Sequence, residues 1–282
     1  MKWEGRRKST NFEDHRGGMS KKMGGGIIGI ILLLVGAYFG VDLSGVAPLL
    51  EGGNTTVSNQ PVQESAQEER LREFSQTVLA ETENTWGRLF AQSGKNYIQP
   101  IMVAYRDRDN TGCGLGQAAM GPFYCPADQR VYLDFSFYND MKTQLKADGE
   151  FAWAYVIAHE VGHHVQNLLG ISRQTQMAQQ QTDKISANKI SVLVELQADC
   201  FAGVWAHDVQ GQGLLEAGDV EKAFNAAQAV GDDRLQQQSQ GRVIPDAFTH
   251  GSSAQRLAWF KRGLQSGDPR ACDTFDGQIR YW

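Results

Sequence analysis

Three things are scarce in this chain of 282 residues: cysteines at metal-binding spacing, basic charge in its main body, and long uncharged runs. No C-x-x-C occurs among Cys113, Cys125, Cys200 and Cys272, which speaks against a Cys-type structural zinc site. Residues 1–50 hold seven Lys/Arg against four Asp/Glu, whereas the remaining 232 residues hold 20 against 28. An acidic body lacks the electrostatic footprint that nucleic acid requires, so no nucleic-acid partner is expected.

The long apolar run covers Gly24 to Val41, 18 residues without a charge. As a helix it would span about 27 Å, close to the ~30 Å hydrocarbon core of a bilayer. Tyr38 and Phe39 stand near its far end, where interfacial aromatics are common. The basic excess precedes the run, which places the N-terminus in the cytoplasm and the main body outside. A cleaved signal peptide competes with this reading, but Gly45-Val-Ala47 is a poor cleavage site and the stretch before the run is long. The expected organisation is therefore a disordered basic cytoplasmic segment (1–23), a transmembrane signal anchor (24–43), a flexible linker (44–65) and one domain (66–282). Residues 24–41 would contact the lipid bilayer.

The domain reads as α+β and mainly helical. Leu71, Phe74, Val78, Trp86 and Phe90 recur at helical spacing from about Ala66, and Gly94 ends that helix. Tyr97–Tyr105 reads as a strand with Pro100 at an edge or bulge. Short strands near Gln117–Met120 and Val131–Asp134 suggest a small antiparallel sheet. Gly114 to Met120 is the candidate edge strand for aligning an extended substrate beside a metal. Helices are expected over Asp140 to about Leu169, broken near Gly149, then Lys184–Val209, Asp219–Val230 and Ser252–Leu264. Gln-rich breaks separate some of them.

An even number of cysteines in a domain expected outside the cytoplasm suggests disulfides. Cys113 and Cys125 flank the expected hairpin, so local pairing is natural, and Cys200 with Cys272 would then tie down the C-terminal segment. Four cysteines still allow three pairings.

The chemistry concentrates in His159-Glu160-Val-Gly-His163-His164. Four helical residues turn the chain by roughly 400°, which puts His159 and His163 on one face. Two such imidazoles can bind one zinc ion, with Glu160 placed to act on water. His164 lies about 140° around the helix from His159 and should not join them. A catalytic zinc usually takes a third protein ligand. Glu195 and Asp199, four apart in an otherwise apolar helix, are costly to bury unless paired or coordinated. Glu195 fits ligation and Asp199 fits a hydrogen bond to a ligand imidazole. His207 and His250 are the alternative third ligands. Gln166 and Leu169 exclude a metzincin-type continuation.

H-E-V-G-H-H at 159–164 with E-x-x-x-D at 195–199 resembles the gluzincin pattern. Lys2-Trp-Glu-Gly-Arg-Arg, the apolar run, Cys-Pro-Ala-Asp at 125–128 and His-Gly-Ser-Ser-Ala-Gln-Arg at 250–256 extend the likeness. Together they resemble the neutral zinc metallopeptidase family of bacterial membrane-anchored proteins, from the first residues to about 265. The resemblance implies a zincin-like domain with one Zn2+ on His159, His163 and Glu195, and Glu160 as the base. It also implies His250 as a donor to the oxyanion, with Arg256 organising the cleft. Protein or peptide would be the substrate. The expected location is the bacterial inner membrane, single-pass, with the domain in the periplasm. The competing class is a non-catalytic, zinc-stabilised, membrane-tethered adaptor or scaffold.

Overall fold

The computed structural model describes residues 1–16 and 64–282, apart from 107, 118–120, 241 and 280. Helix α1 (Ala66–Gln92) begins in a capping box, in which Ser65 and Glu68 satisfy each other's backbone N–H groups. Its face carrying Leu71, Phe74, Val78, Trp86 and Phe90 is buried, and Gly94 follows its end at φ 71°.

Strands β1 (Phe12–Asp14), β2 (Ile101–Tyr105), β3 (Arg108–Thr111), β4 (Gly114–Gln117), β5 (Phe123–Cys125) and β6 (Arg130–Asp134) form two sheets. The larger runs β1-β2-β6-β5, with β1, β2 and β6 parallel and only β5 antiparallel to its neighbour. The expected antiparallel sheet is therefore a mixed one, and antiparallel pairing is confined to β5–β6 and the separate β3–β4 hairpin. Pro100 precedes β2 instead of interrupting it, as suits a residue without an N–H in a strand paired on both sides. The strand period of two separates the cores: Met102, Ala104, Val131 and Leu133 face the helices, whereas Val103, Tyr105 and Tyr132 pack with Cys125 on the other face.

The helices after the sheet are α2 (Ser136–Thr143), α3 (Glu150–Leu168), α4 (Ile171–Gln180), α5 (Lys184–Gly211), α6 (Asp219–Ala229), α7 (Asp232–Gln240) and α8 (Ser253–Ser266). Gly149, at φ 113°, makes the break between α2 and α3. The Gln-rich stretches expected as breaks or loops are helices α4 and α7, in keeping with the good helix propensity of Gln. Every residue of α3 from Phe151 to Gly162 is buried, as befits a helix surrounded by others.

Glycine sets how close these helices come. A Cβ on Gly162 of α3 would lie 3.0 Å from the Ala198 carbonyl of α5. Where α5 crosses α8 the approach is reciprocal: a Cβ on Gly203 would meet the Phe260 carbonyl at 2.1 Å, and one on Gly263 the Cys200 carbonyl at 1.9 Å. Backbone cannot step aside as a side chain can, so Gly263→Ala should cost about 1–3 kcal/mol by overpacking. Gly87→Ala, with nothing near its Cβ position, should gain roughly 0.5–1 kcal/mol from helix propensity. Denaturant unfolding of the two variants would show opposite signs.

The N-terminal segment departs most from expectation. Residues 1–16 are folded, and Met1–His15 belongs to the same compact unit as Glu64–Trp282. Strand β1 joins the sheet edge, and Trp3 is buried with its ring 5.4 Å from that of Phe74. Arg6 donates to the buried Glu81 at 2.7 Å and Arg7 to the buried Glu83 at 2.9 Å, while Ser9 and Asn11 also reach Glu83. The basic head thus neutralises acids on the buried side of α1, which corrects the expectation of disorder for residues 1–16. The run at 24–41 lies outside the described residues, among which no helix is long and apolar enough to cross a membrane.

Both disulfides form, Cys113–Cys125 and Cys200–Cys272. The second pins the C-terminal tail to α5, where Thr274 donates to the Leu193 carbonyl at 2.8 Å.

Candidate active site

Helices α3 and α5 cross with His159, His163 and Glu195 facing one another. His159 Nε2 lies 3.2 Å from His163 Nε2 and 3.2 Å from Glu195 Oε2, and His163 Nε2 lies 3.4 Å from Glu195 Oε1. These three residues offer ligand atoms within 4.8 Å of one another, and no fourth His, Cys, Asp or Glu joins them among the described residues.

Each imidazole is oriented through its other nitrogen. His159 Nδ1 is 2.9 Å from Asp199 Oδ1, and His163 Nδ1 is 2.9 Å from Gln166 Oε1. The hydrogen bond at Nδ1 turns Nε2 towards the cluster in both cases. Arg256 on α8 grips the fully buried Asp199 through two bonds, Nε to Oδ2 at 2.8 Å and Nη2 to Oδ1 at 3.0 Å. The Tyr155 hydroxyl also bonds to Asp199. Tyr155 stands one turn before His159 on the same face of α3, a spacing visible in the sequence but not used there.

Burial alone would depress the His159 imidazole, but Asp199 and Glu195 outweigh it and lift its pKa to about 10. Burial likewise opposes the charge on Glu195, yet the two imidazoles hold its carboxyl well below the usual range. This donor set demands positive charge at its centre, and a divalent metal on two imidazoles and a carboxylate answers that demand. Such a metal must displace the proton His159 otherwise holds. Zinc binding at pH 7 should therefore release protons, and apparent affinity should rise with pH by up to about tenfold per unit for each proton displaced. Calorimetry in buffers of differing ionisation enthalpy reads this directly.

Glu160 is 8% exposed and opens onto the same cavity, which has a volume of about 790 Å³. Burial raises its carboxyl above the ordinary value, with His163 and His159 pulling the other way. His250 also lines the cavity and is half-exposed. Asp232 holds it in place: its carboxylate accepts the backbone N–H groups of Thr249, His250 and Gly251 and lies 3.1 Å from His250 Nδ1. That hydrogen bond raises the His250 pKa despite partial burial. Asp232 was not singled out from the sequence because it stands beside the Gln-rich stretch read as a loop.

The remaining histidines serve elsewhere. His164 donates to the Ile98 carbonyl at 2.6 Å and meets the Tyr124 hydroxyl at 3.0 Å, and burial pulls its pKa down to about 4. His207, an alternative third ligand in the sequence, bonds to the Leu264 carbonyl instead. His250, the other alternative, is not in the metal-type cluster. Of the expected edge strand Gly114 to Met120, residues 118–120 lie outside the described residues; among the described residues β4 pairs with β3, and Gly121 to Tyr124, containing the start of edge strand β5, lines the cavity.

The chain matches the family model described as "Putative neutral zinc metallopeptidase" over residues 1–275. YpfJ of Escherichia coli, an uncharacterized protein, is 55% identical over 99% of this chain and all of the relative. An uncharacterized protein of Mycobacterium bovis is 43% identical over 72% of this chain and 71% of its own length. No solved structure matches the chain.

Proposed function

We propose, from the premise that the chain belongs to the family of putative neutral zinc metallopeptidases, that it hydrolyses peptide bonds with one zinc ion held by His159, His163 and Glu195. The observation that carries this is the three-membered donor cluster beside a buried carboxylate in an open cavity. A structural zinc takes four protein ligands, whereas three leave a position for chemistry. When bound, zinc supplies Lewis acidity, polarising a carbonyl and making water a better nucleophile.

The chain's own residues do the rest. Glu160 accepts the proton of the attacking water and delivers it to the leaving amine. His250, oriented by Asp232, which favours its protonated form, donates from Nε2 to the oxyanion of the tetrahedral intermediate. Asp199, with Arg256 and Tyr155 behind it, fixes the His159 tautomer. An extended substrate adds to the free edge of β5. The two disulfides favour an extracytoplasmic location. Attachment to the membrane through residues 24–41 belongs to the same proposal, with residues 1–15 on the side of the catalytic unit.

The test is metal content together with proteolysis by the purified full chain. Wild type should carry one zinc and cleave an unfolded protein in a chelator-sensitive, zinc-restored manner, and His163→Ala should lose both properties. A zinc-loaded wild type that cleaves nothing would return the scaffold reading. Zinc retained by His163→Ala would remove that residue from the site.

A further inference from the structure

Behind His163 runs a line of buried amides that ends at a disulfide. The His163 Nδ1–H donates to Gln166 Oε1 at 2.9 Å. Gln166 Nε2 then donates to the Val194 carbonyl at 2.8 Å and to Gln197 Oε1 at 3.0 Å. Gln197 Nε2 donates in turn to the carbonyl of Cys272 at 3.0 Å. Cys272 is bonded to Cys200, which is one turn of α5 beyond Gln197. Gln166, Gln197, Cys200 and Cys272 are all fully buried.

The direction of the line is set by its far end. The Cys272 and Val194 carbonyls can only accept, so both side-chain amides must present nitrogen to them. Gln197 Oε1 then faces Gln166, and Gln166 Oε1 faces His163 and must receive a proton from Nδ1. His163 is left with its Nε2 lone pair towards His159 and Glu195, as a metal ligand requires. Polar groups at such depth remain only where partnered, and the loss of one partner leaves the next unsatisfied. The opposite ligand, His159, is oriented by a charged residue. His163 depends on neutral amides whose last acceptor is held by a covalent bridge.

We propose that Gln166 and Gln197 are positioning residues for His163, and that through them the Cys200–Cys272 disulfide tunes how tightly the site holds a divalent metal. Reduction of that bridge by a dithiol, which leaves two thiols at Cys200 and Cys272 and is itself oxidised to a disulfide, frees the Cys272 carbonyl, lets Gln197 turn, and relaxes the His163 tautomer. The site would hold its metal well only where the bridge is oxidised.

This rests on the zinc-site reading, and the experiment separates the two. Zinc affinity of the full chain is measured by chelator competition for wild type, His163→Ala, Gln166→Leu, Gln197→Leu, the Cys200→Ser/Cys272→Ser pair, and that pair combined with Gln197→Leu. Gln166→Leu and Gln197→Leu should weaken zinc about 10–100-fold, the range for loss of a residue that orients a ligand. The cobalt(II) form of Gln166→Leu should show shifted visible bands, which a purely structural role would not produce. Breaking the bridge should weaken zinc in the wild-type background and change little once Gln197 is already Leu, because coupled sites are not additive. Wild-type affinity in Gln166→Leu, or full additivity of Gln197→Leu with the bridge, overturns the inference. If a Leu variant does not fold, the bridge-less pair decides, since unchanged zinc affinity there is equally fatal. Zinc retained by His163→Ala would overturn the metal-site reading itself.

Discussion

Glu160→Gln should retain its fold and its zinc and lose about 10²–10⁴-fold in kcat, the usual contribution of a positioned general base. The two side chains have the same shape, so the buried position stays filled. Among the described residues no hydrogen bond holds the Glu160 carboxyl, so the amide breaks none there; its environment is the charge of His163, His159, Glu195 and Arg256. What disappears is the ability to take a proton. Burial has lifted the carboxyl above its ordinary value, which suits a group that must both accept and return a proton near neutral pH. The measurement is steady-state cleavage of one defined peptide by wild type and variant, with zinc content and thermal unfolding alongside. Activity equal to wild type at equal zinc would take the role of base away from Glu160.

Arg256→Met should be among the most destabilising single changes in the domain. Arg256 is 3% exposed and Asp199 is not exposed at all, and the two share a bidentate pair at 2.8 Å and 3.0 Å. Met fills similar volume but leaves the Asp199 carboxylate buried without its guanidinium, with only His159 and Tyr155 against it, at about 3–5 kcal/mol for a broken buried pair. Asp199→Asn in the same chain should recover much of that loss, because the stranded charge goes with it. The pH dependence gives a second signature. Burial would raise the Asp199 pKa, but Arg256 and His159 hold it below the ordinary value. In wild type this stability is present above the unfolded aspartate value near ~3.9 and is lost as pH falls through the lowered one. In the variant burial is less opposed, the carboxyl takes up a proton earlier in acid, and its penalty fades there. The gap in unfolding free energy should therefore be widest at neutral pH and close as pH falls. A constant gap would mean that Arg256 acts by packing alone. Zinc affinity should fall as well, since Asp199 orients His159.

What could be read from the sequence depended on whether a residue's partner lay within a helical turn or two. His159, Glu160 and His163 declare themselves by spacing, and Glu195 with Asp199 by the cost of two carboxylates in an apolar helix. Glutamine carries no such cost signal: Gln166 counted only as a departure from another motif, although it is the residue that orients His163. Asp232 stands 18 positions from His250, and nothing local ties them. The mixed sheet was hidden for the same reason, because β1 has three residues and a partner far along the chain. The ion pairs of Arg6 and Arg7 were not legible for the same reason, because Glu81 and Glu83 lie on another element.

The placement of β1 also fixes a timetable. Phe12–Asp14 pairs with Met102–Ala104, so the first strand to be made has no partner until the chain beyond residue 104 has emerged. At about 5–20 residues per second, that is a wait of roughly 5–20 s during synthesis. Throughout it, the edge of β1 lacks the strand that covers it. Whatever meets the chain during synthesis must keep this short stretch apart from other strands until the sheet it completes has formed.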